Sequence, residues 1–261
     1  MDKRTLDKII AGAEAAADLA GSVIRPFFRN GVDATHKHDT SPVTIADRRA
    51  EQAMRALLTE IFPEHGVLGE EFGLDRPESK MRWVLDPIDG TRAFITGRPV
   101  FGTLVALLAD ETPIVGIIDQ PITGERWIGA AGRPTIFRGP LGGRPGCRPC
   151  PTLDRAELSL TSPQMLGADA PRWERLAGAV RRVSYGGDCY AYGLLALGQI
   201  DIIAEPDLKI WDWAALWPVI EGAGGRLTDW DGKPLHAGNA SRVLAVGDPA
   251  LLGPAIALLR G

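Results

Sequence analysis

The stretch with the most chemistry in it is Trp83-Val84-Leu85-Asp86-Pro87-Ile88-Asp89-Gly90-Thr91. An apolar run ends in an aspartate, a proline sets a turn, and a second aspartate follows three residues after the first. Gly90 and Thr91 then open what reads as a short helix over 91–95. Paired carboxylates at a strand's C-terminal end suit a hard cation. Mg²⁺ takes oxygen ligands in octahedral geometry, usually carboxylates together with water and substrate phosphate. The N–H groups of such a turn, and of the helix start behind it, can hold a phosphate. Taken alone, the stretch also fits a strand-end turn with a capping Asp, because Asp-Gly turns are common.

Other acids raise the interest of this one. Gly69-Glu70-Glu71 follows a short apolar run and reads as another strand end. Trp211-Asp212-Trp213 opens a helix, which puts Asp212 near its N-terminus. Asp47 lies inside a helix, one residue from its apolar stripe. Each has a plain alternative: Asp212 as a helix cap, Glu70 and Glu71 as solvated loop charges, Asp47 as a surface ion pair.

These residues need elements to place them. Leu6, Ile9, Ala13, Ala16, Ala20, Val23 and Phe27 recur at helical spacing and predict a helix over 5–29, kinked or ended near Pro26. Residues 34–40 read as a polar loop or short hairpin strand. Ser41-Pro42 resembles a helix start, and a second helix follows to Ile61. From 67 to 138 short β-like runs take over: 67–68, 83–85, 102–108, 114–119 and 126–130. The Gly/Pro-rich segment 139–151 reads as a surface loop between an N-terminal half, 1–138, and a C-terminal half, 152–261. The second half alternates. Strands are expected at 157–160, 182–185, 200–204 and 243–246, and helices at 173–180, 189–197, 213–223 and 249–259. The pattern is α/β or α+β, with sheets covered by helices.

Composition bounds the partners. Lys and Arg number 29 against 33 Asp and Glu, a net charge of −4. That argues against nucleic acid or an anionic membrane as the main partner. No apolar run approaches the ~18 residues of a membrane span, and the charged N-terminus has no signal-peptide pattern. Three cysteines exclude a disulfide framework and point to the cytoplasm. The lone Cys147-x-x-Cys150 reads as an incidental loop pair, and His36 and His38 as solvated. Gly222-Ala223-Gly224-Gly225 follows a helix, so it is a stop rather than a dinucleotide fingerprint. No Gly-x-Ser-x-Gly supports a serine hydrolase. The spacing of Asp86 and Asp89 is not the Asp-x-Asp of an aspartyl-phosphate phosphatase.

Together, Gly69–Glu71 with Trp83–Thr91, the run Leu208–Gly225, and Ser41–Asp47 resemble, in order, the signatures of the Mg²⁺-dependent, lithium-sensitive inositol monophosphatase superfamily. The likeness spans almost the whole chain. It implies a layered α-β-α-β-α sandwich of the inositol monophosphatase/fructose-1,6-bisphosphatase type, usually a homodimer. It implies Glu70, Asp86, the Ile88 carbonyl, Asp89 and Asp212 as ligands of two or three Mg²⁺ ions. It also implies phosphate binding by the Gly90 and Thr91 N–H groups, and water activation by Asp47 with Thr91 and Glu70. Four carboxylates repel one another without cations, so metal-dependent ordering of 67–95 is expected.

After Asp-Gly-Thr the chain reads Arg92-Ala93-Phe94-Ile95-Thr96-Gly97, and Gly187-Asp188-Cys189-Tyr190-Ala191-Tyr192 follows later. Both resemble the histidinol-phosphate phosphatases of the superfamily. Histidinol phosphate carries an amine and an imidazole beside its phosphate. Asp188 and Glu205 are candidates for the cationic end, and Arg92 for the phosphate or a neighbouring acid. Asp188 as a helix N-cap and Arg92 as a surface ion pair remain the plain readings. Within the family the rival substrate is inositol 1-phosphate or a sugar phosphate. Outside it, the rival is a non-catalytic phosphate- or metal-binding protein, which would be expected to lose Asp47, Thr91 or a ligand.

Overall fold

The computed structural model describes residues 1–31, 34–36, 42–236 and 241–260. Helix α1 runs Lys3–Ile24, capped by the Asp2 side chain. The helical path continues only as a 3-10 turn over Arg25–Phe27, because Pro26 brings no N–H to the helical ladder. Strands β1 (Ala34–His36) and β2 (Pro42–Thr44) pair antiparallel. Ser41 and His38 lie outside the described residues.

The second helix, α2 (Ile45–Ile61), starts later than the Ser-Pro pair suggests. Thr44 is the cap: its hydroxyl accepts from the Ala46 N–H, and the Asp47 side chain reaches back to the Thr44 N–H at 2.8 Å. This reciprocal box satisfies two orphan donors at once and starts the helix at Ile45.

Strands β3 (Gly66–Gly69), β4 (Gly73–Asp75) and β5 (Met81–Asp89) follow, then helix α3 (Thr91–Ile95). After it come β6 (Gly102–Ala109), β7 (Thr112–Gln120), β8 (Glu125–Ala130) and β9 (Arg133–Arg138). They form one sheet in the order β4-β3-β5-β6-β7-β8-β9, antiparallel apart from β3 beside β5.

The remaining elements are β10 (Glu157–Leu160), α4 (Ala170–Ala179), β11 (Arg182–Tyr185), α5 (Asp188–Ala196), β12 (Ile202–Leu208), α6 (Ile210–Trp213), α7 (Leu216–Gly222), β13 (Arg226–Asp229), β14 (Ser241–Val246) and α8 (Leu252–Arg260). Their strands make a second sheet, β11-β10-β12-β14-β13. The single helix expected over 213–223 is two helices, α6 and α7. β4, β9 and β13 are short strands that the pattern did not reveal.

Side chains alternate across each strand, and this sorts the core into layers. Trp83 and Leu85 of β5, with Val105 and Leu107 of β6, pack against α1 and α2. Val84, Leu104 and Ala106 face the other way, onto α5 and α7. Those two helices also take Ile203 and Val243 from the second sheet. Ile202, Ala204 and Leu244 point outward to Trp173 and Leu176 of α4 and Ala255 and Leu259 of α8. The result is the α-β-α-β-α sandwich that the sequence resemblance implies. The middle layer is tight: a Cβ on Gly116 of β7 would lie 2.0 Å from the Ala215 carbonyl oxygen ahead of α7. Among the described residues no helix is long and apolar enough to cross a membrane.

Candidate active site

Both sheets break their register at an acid followed by proline. In β5 the pairing to β6 slips between Asp86 and Asp89, and the Thr103 hydroxyl donates to the Pro87 carbonyl at 2.8 Å. In β12 the pairing to β14 slips between Glu205 and Leu208, across Pro206-Asp207. A bulge re-aims side chains and ends pairing. Here the β5 bulge delivers Asp86 and Asp89 to one place, and α6 delivers Asp212 to the same place. Ligand oxygens of Asp86, Asp89 and Asp212 lie within 4.8 Å of one another.

Each member is held by backbone amides. Asp86 accepts from the Ile88 N–H at 3.0 Å, and Asp89 from the Cys189 N–H of α5 at 2.6 Å. Asp212 accepts from the Lys209 N–H at 2.6 Å, closing a box at the start of α6. Burial, then the charges of Glu70, Asp89 and Asp212, hold the Asp86 carboxyl well above its ordinary range. Burial and then Asp212 push Asp89 up to about 8. Burial pushes Asp212 up to about 7 against the Lys209 amide, with Glu70 adding repulsion. Glu70 thus faces the trio without belonging to its tightest core. Its backbone is pinned by its own N–H to the Leu85 carbonyl at 3.2 Å.

Asp47 is buried rather than a surface ion pair. Its carboxylate takes the Thr44 hydroxyl at 2.5 Å and receives the Thr91 hydroxyl at 3.5 Å, while Thr91 also donates to the Ile88 carbonyl at 3.1 Å. Burial, only partly offset by Thr44, lifts Asp47 to about 6. Gly90 heads α3 at φ +89°. It is doubly required there: a Cβ would also lie 2.7 Å from Asp188 Cγ.

Asp188 does not cap α5. Gly187 takes the cap position, and Asp188 is the first helical residue with φ +43°, a conformation that costs a non-glycine residue about 1–3 kcal/mol. Its carboxyl, raised to about 8 by burial and then by Asp89 and Glu205, lies against Gly90, and Arg98 and Arg92 partly offset the rise. Glu205 is buried and fully engaged, accepting the Thr161 N–H at 2.6 Å and the Tyr192 hydroxyl at 2.9 Å. Sequence alone does not mark Thr161 and Tyr192 as its partners. Nothing local connects them to Glu205.

These groups line one cleft. A deep cavity of about 150 Å³ touches Asp89, Asp188, Tyr192, Glu205, Asp207 and Asp212. It shares Thr161, Met165 and Asp188 with a wider mouth of about 350 Å³ lined by Glu70, Gly90, Thr91 and exposed Arg92. A larger hollow of about 440 Å³ beside α7 has one carboxylate, Glu221, in its lining; size does not mark the site. The cysteines do not compete. Burial raises both Cys147, to about 11, and Cys150.

The donor set fits a hard divalent cation. Three carboxylates are crowded into a desolvated pocket, and the strongest charges acting on Asp86 are those of other acids. Such a group is stable when a divalent cation neutralises it. The sequence over 5–260 matches the profile of the inositol monophosphatase family. The chain belongs to that family. Its members generally depend on a divalent metal, and the chain is a phosphatase, a phosphoric monoester hydrolase.

Among its relatives is the chloroplastic bifunctional phosphatase IMPL2 of Arabidopsis thaliana, 50% identical over 231 residues. That match covers 87% of this chain and 66% of the relative, just under two thirds of its length. A histidinol-phosphatase of Mycobacterium tuberculosis is 42% identical over 212 residues, 78% of this chain and 80% of that one. The structure of an inositol monophosphatase from Zymomonas mobilis superposes with a TM-score of 0.89 at 46% identity, covering 100% of both chains.

Proposed function

We infer that the protein is a Mg²⁺-dependent phosphatase that hydrolyses L-histidinol phosphate to L-histidinol and phosphate. The observation that carries the substrate is the acidic floor of the cleft. Asp188 and Glu205 line the cavity together with Asp89 and Asp212, and Asp188 also borders the mouth beside Gly90, Thr91 and Arg92. A substrate that carries an amine and an imidazole beside its phosphate complements a phosphate seat bordered by such acids. The histidinol-phosphatase among the relatives supports the same reading.

In this reading Glu70, Asp86, the Ile88 carbonyl, Asp89 and Asp212 hold the cations. Bound there, Mg²⁺ supplies Lewis acidity, a lowered pKa for water and a charge clamp on phosphate oxygens. Gly90 and Thr91 seat the phosphate at the head of α3. Asp47 draws on the Thr91 hydroxyl, and the pair orients the attacking water and takes up its proton. The ester P–O bond breaks in line with that attack, and the leaving alkoxide takes a proton from solvent water to give histidinol, while Asp47 returns its own proton to solvent. Positioning and charge neutralisation carry such a transfer. Asp188 pairs with the substrate's cationic end. Glu205, with both oxygens engaged, acts there through its charge and by holding Thr161. The N-terminal half, 1–138, supplies most ligands. The C-terminal half, 152–261, supplies Asp212 and the substrate's acidic partners.

The rival reading is an inositol- or sugar-phosphate phosphatase, favoured by the Zymomonas mobilis likeness. The test is kcat/KM with Mg²⁺ for L-histidinol phosphate, inositol 1-phosphate and fructose 1,6-bisphosphate. Histidinol phosphate is expected to lead by about 100-fold, or about 2.7 kcal/mol. Asp188→Ala is expected to raise KM for histidinol phosphate far more than for a neutral phosphomonoester. Parity between histidinol and inositol phosphates, or equal KM effects, overturns the substrate assignment and leaves the phosphatase.

A further inference from the structure

Helix α2 carries a second buried acid that the reaction above does not use. Glu51 lies one turn beyond Asp47 with its side chain fully enclosed. Its carboxylate receives the backbone N–H of Glu71 at 2.7 Å and of Phe72 at 3.2 Å. It also receives Arg55 Nε at 2.7 Å. Arg55 spreads its remaining nitrogens over the same hairpin, to the Val67 carbonyl at 3.4 Å, to Asp75 at 2.8 Å and to the Gly73 carbonyl. The fit is close enough that a Cβ on Gly69 would lie 2.0 Å from Glu51 Oε1.

The segment so gripped is the β3–β4 turn, and its first residue is Glu70. From its other side the turn is tied by the Glu70 N–H to the Leu85 carbonyl, one residue before Asp86. Glu70 is thus held between β5 and the Glu51–Arg55 pair. Asp47, on the same helix, is fixed one turn away by its box with Thr44. One rigid helix therefore sets both the water-activating side of the site and the approach of Glu70.

We propose that Glu51, braced by Arg55, is a positioning residue that holds the Glu70 turn against the Asp86–Asp89–Asp212 cluster and so sets the site's affinity for its cation. This rests on reading Glu70 as a ligand. A carboxylate is required because its oxygens accept three N–H bonds. Glutamine places an NH₂ donor where one of those donors already points. Outer-shell partners of ligating carboxylates typically account for about 10–100-fold in metal affinity.

The test is Mg²⁺ binding by isothermal titration calorimetry, with no substrate present, for wild type, Glu51→Gln and Asp86→Asn. Turnover at saturating Mg²⁺ and the apo melting temperature are measured beside it. For Glu51→Gln, Mg²⁺ affinity is expected to fall about 10–100-fold. Its kcat is largely restored by excess Mg²⁺, and the Glu71 and Phe72 amides exchange faster with deuterium. Asp86→Asn loses binding. If Asp86→Asn binds Mg²⁺ like wild type, the metal reading itself fails. If it loses Mg²⁺ while Glu51→Gln binds normally, the metal reading stands and the positioning role is overturned. A kcat deficit that excess Mg²⁺ does not repair overturns it too. If Glu51→Gln does not fold, Arg55→Lys serves. It keeps a cation beside Glu51 but loses the fork that reaches Val67 and Gly73. It is expected to weaken Mg²⁺ in the same direction; unchanged affinity overturns the proposal.

Discussion

Removing divalent cations turns the site's carboxyl groups into a pH-dependent load on the fold. Burial followed by neighbouring charge lifts Asp89 and Asp188 from 3.8 to about 8, whereas in the unfolded chain aspartates ionise near pH ~4. Between these limits the folded protein keeps protons that the unfolded chain has released, so stability falls as pH rises. His65 works in the opposite direction. Burial lowers its pKa, which favours the folded state as pH rises, but only up to about pH 6.5, where the unfolded histidine has lost its proton. The window from about pH 6.5 to about pH 8 therefore isolates the acids. Each proton so retained across ~1.5 pH units, at about 1.4 kcal/mol per unit, costs about 2 kcal/mol. For a chain of this length that lowers Tm by about 4 °C. The assay is differential scanning calorimetry in EDTA at the two pH values, then with excess Mg²⁺. Magnesium binds the ionised carboxylates, so the metal-bound protein no longer keeps the extra protons and the difference is expected to close. A metal-free Tm that is flat or rises over this window, or an Asp89→Asn variant with the wild-type slope, refutes the reasoning.

Gly90→Ala is expected to cost about 1–3 kcal/mol of backbone strain at φ +89° and to displace Asp188. That strain falls on the phosphate turn, so kcat/KM should drop about tenfold or more, and wild-type kinetics would contradict the fit. Asp47, raised to about 6 by burial, must be ionised to take a proton. At saturating Mg²⁺, kcat/KM should therefore fall as pH drops through about 6 or lower, the bound cation drawing the limb down. Asp47→Asn should be slow at every pH and lack that limb; a profile unchanged by the substitution would remove Asp47 from the proton path.

The part of the site that is local in sequence was legible there. Asp86, Asp89, Gly90 and Thr91 are contiguous, and a strand running into Asp-Pro-x-Asp-Gly-Thr carries its own geometry. Asp212 could be joined to them only through resemblance, because nothing in its neighbourhood announces that α6 ends up beside the β5 bulge. Asp188 reads from sequence both as a candidate for the substrate's cationic end and, more plainly, as a helix cap. The structure gives that position to Gly187 and turns the Asp188 carboxyl onto Gly90, a contact between residues far apart in the chain. Glu51 and Arg55 carry no sequence signal beyond an i,i+4 spacing; the β3–β4 hairpin folding over them buries the acid.

The fold shows the same division. The helical stripes of α1 and α2 and the runs of β5 to β8 were visible as periodicity. The start of α2 went to Thr44 because Asp47 reciprocates its cap. The layering depends on which face of each strand meets which helix. β5 and β6 are apolar on both faces, so period alone could not assign them. The break between α6 and α7 likewise left no mark in a run of apolar residues.

The central claim is that the acidic cluster is a cation-dependent phosphatase site. The most direct test follows phosphate release from L-histidinol phosphate against Mg²⁺ concentration for wild type and Asp86→Asn, with circular dichroism to establish that both are folded. Wild-type turnover is expected to vanish in EDTA and to return with Mg²⁺. The variant is expected to remain folded and inactive at every Mg²⁺ concentration. Turnover that survives EDTA, or an active Asp86→Asn at saturating Mg²⁺, would contradict the account.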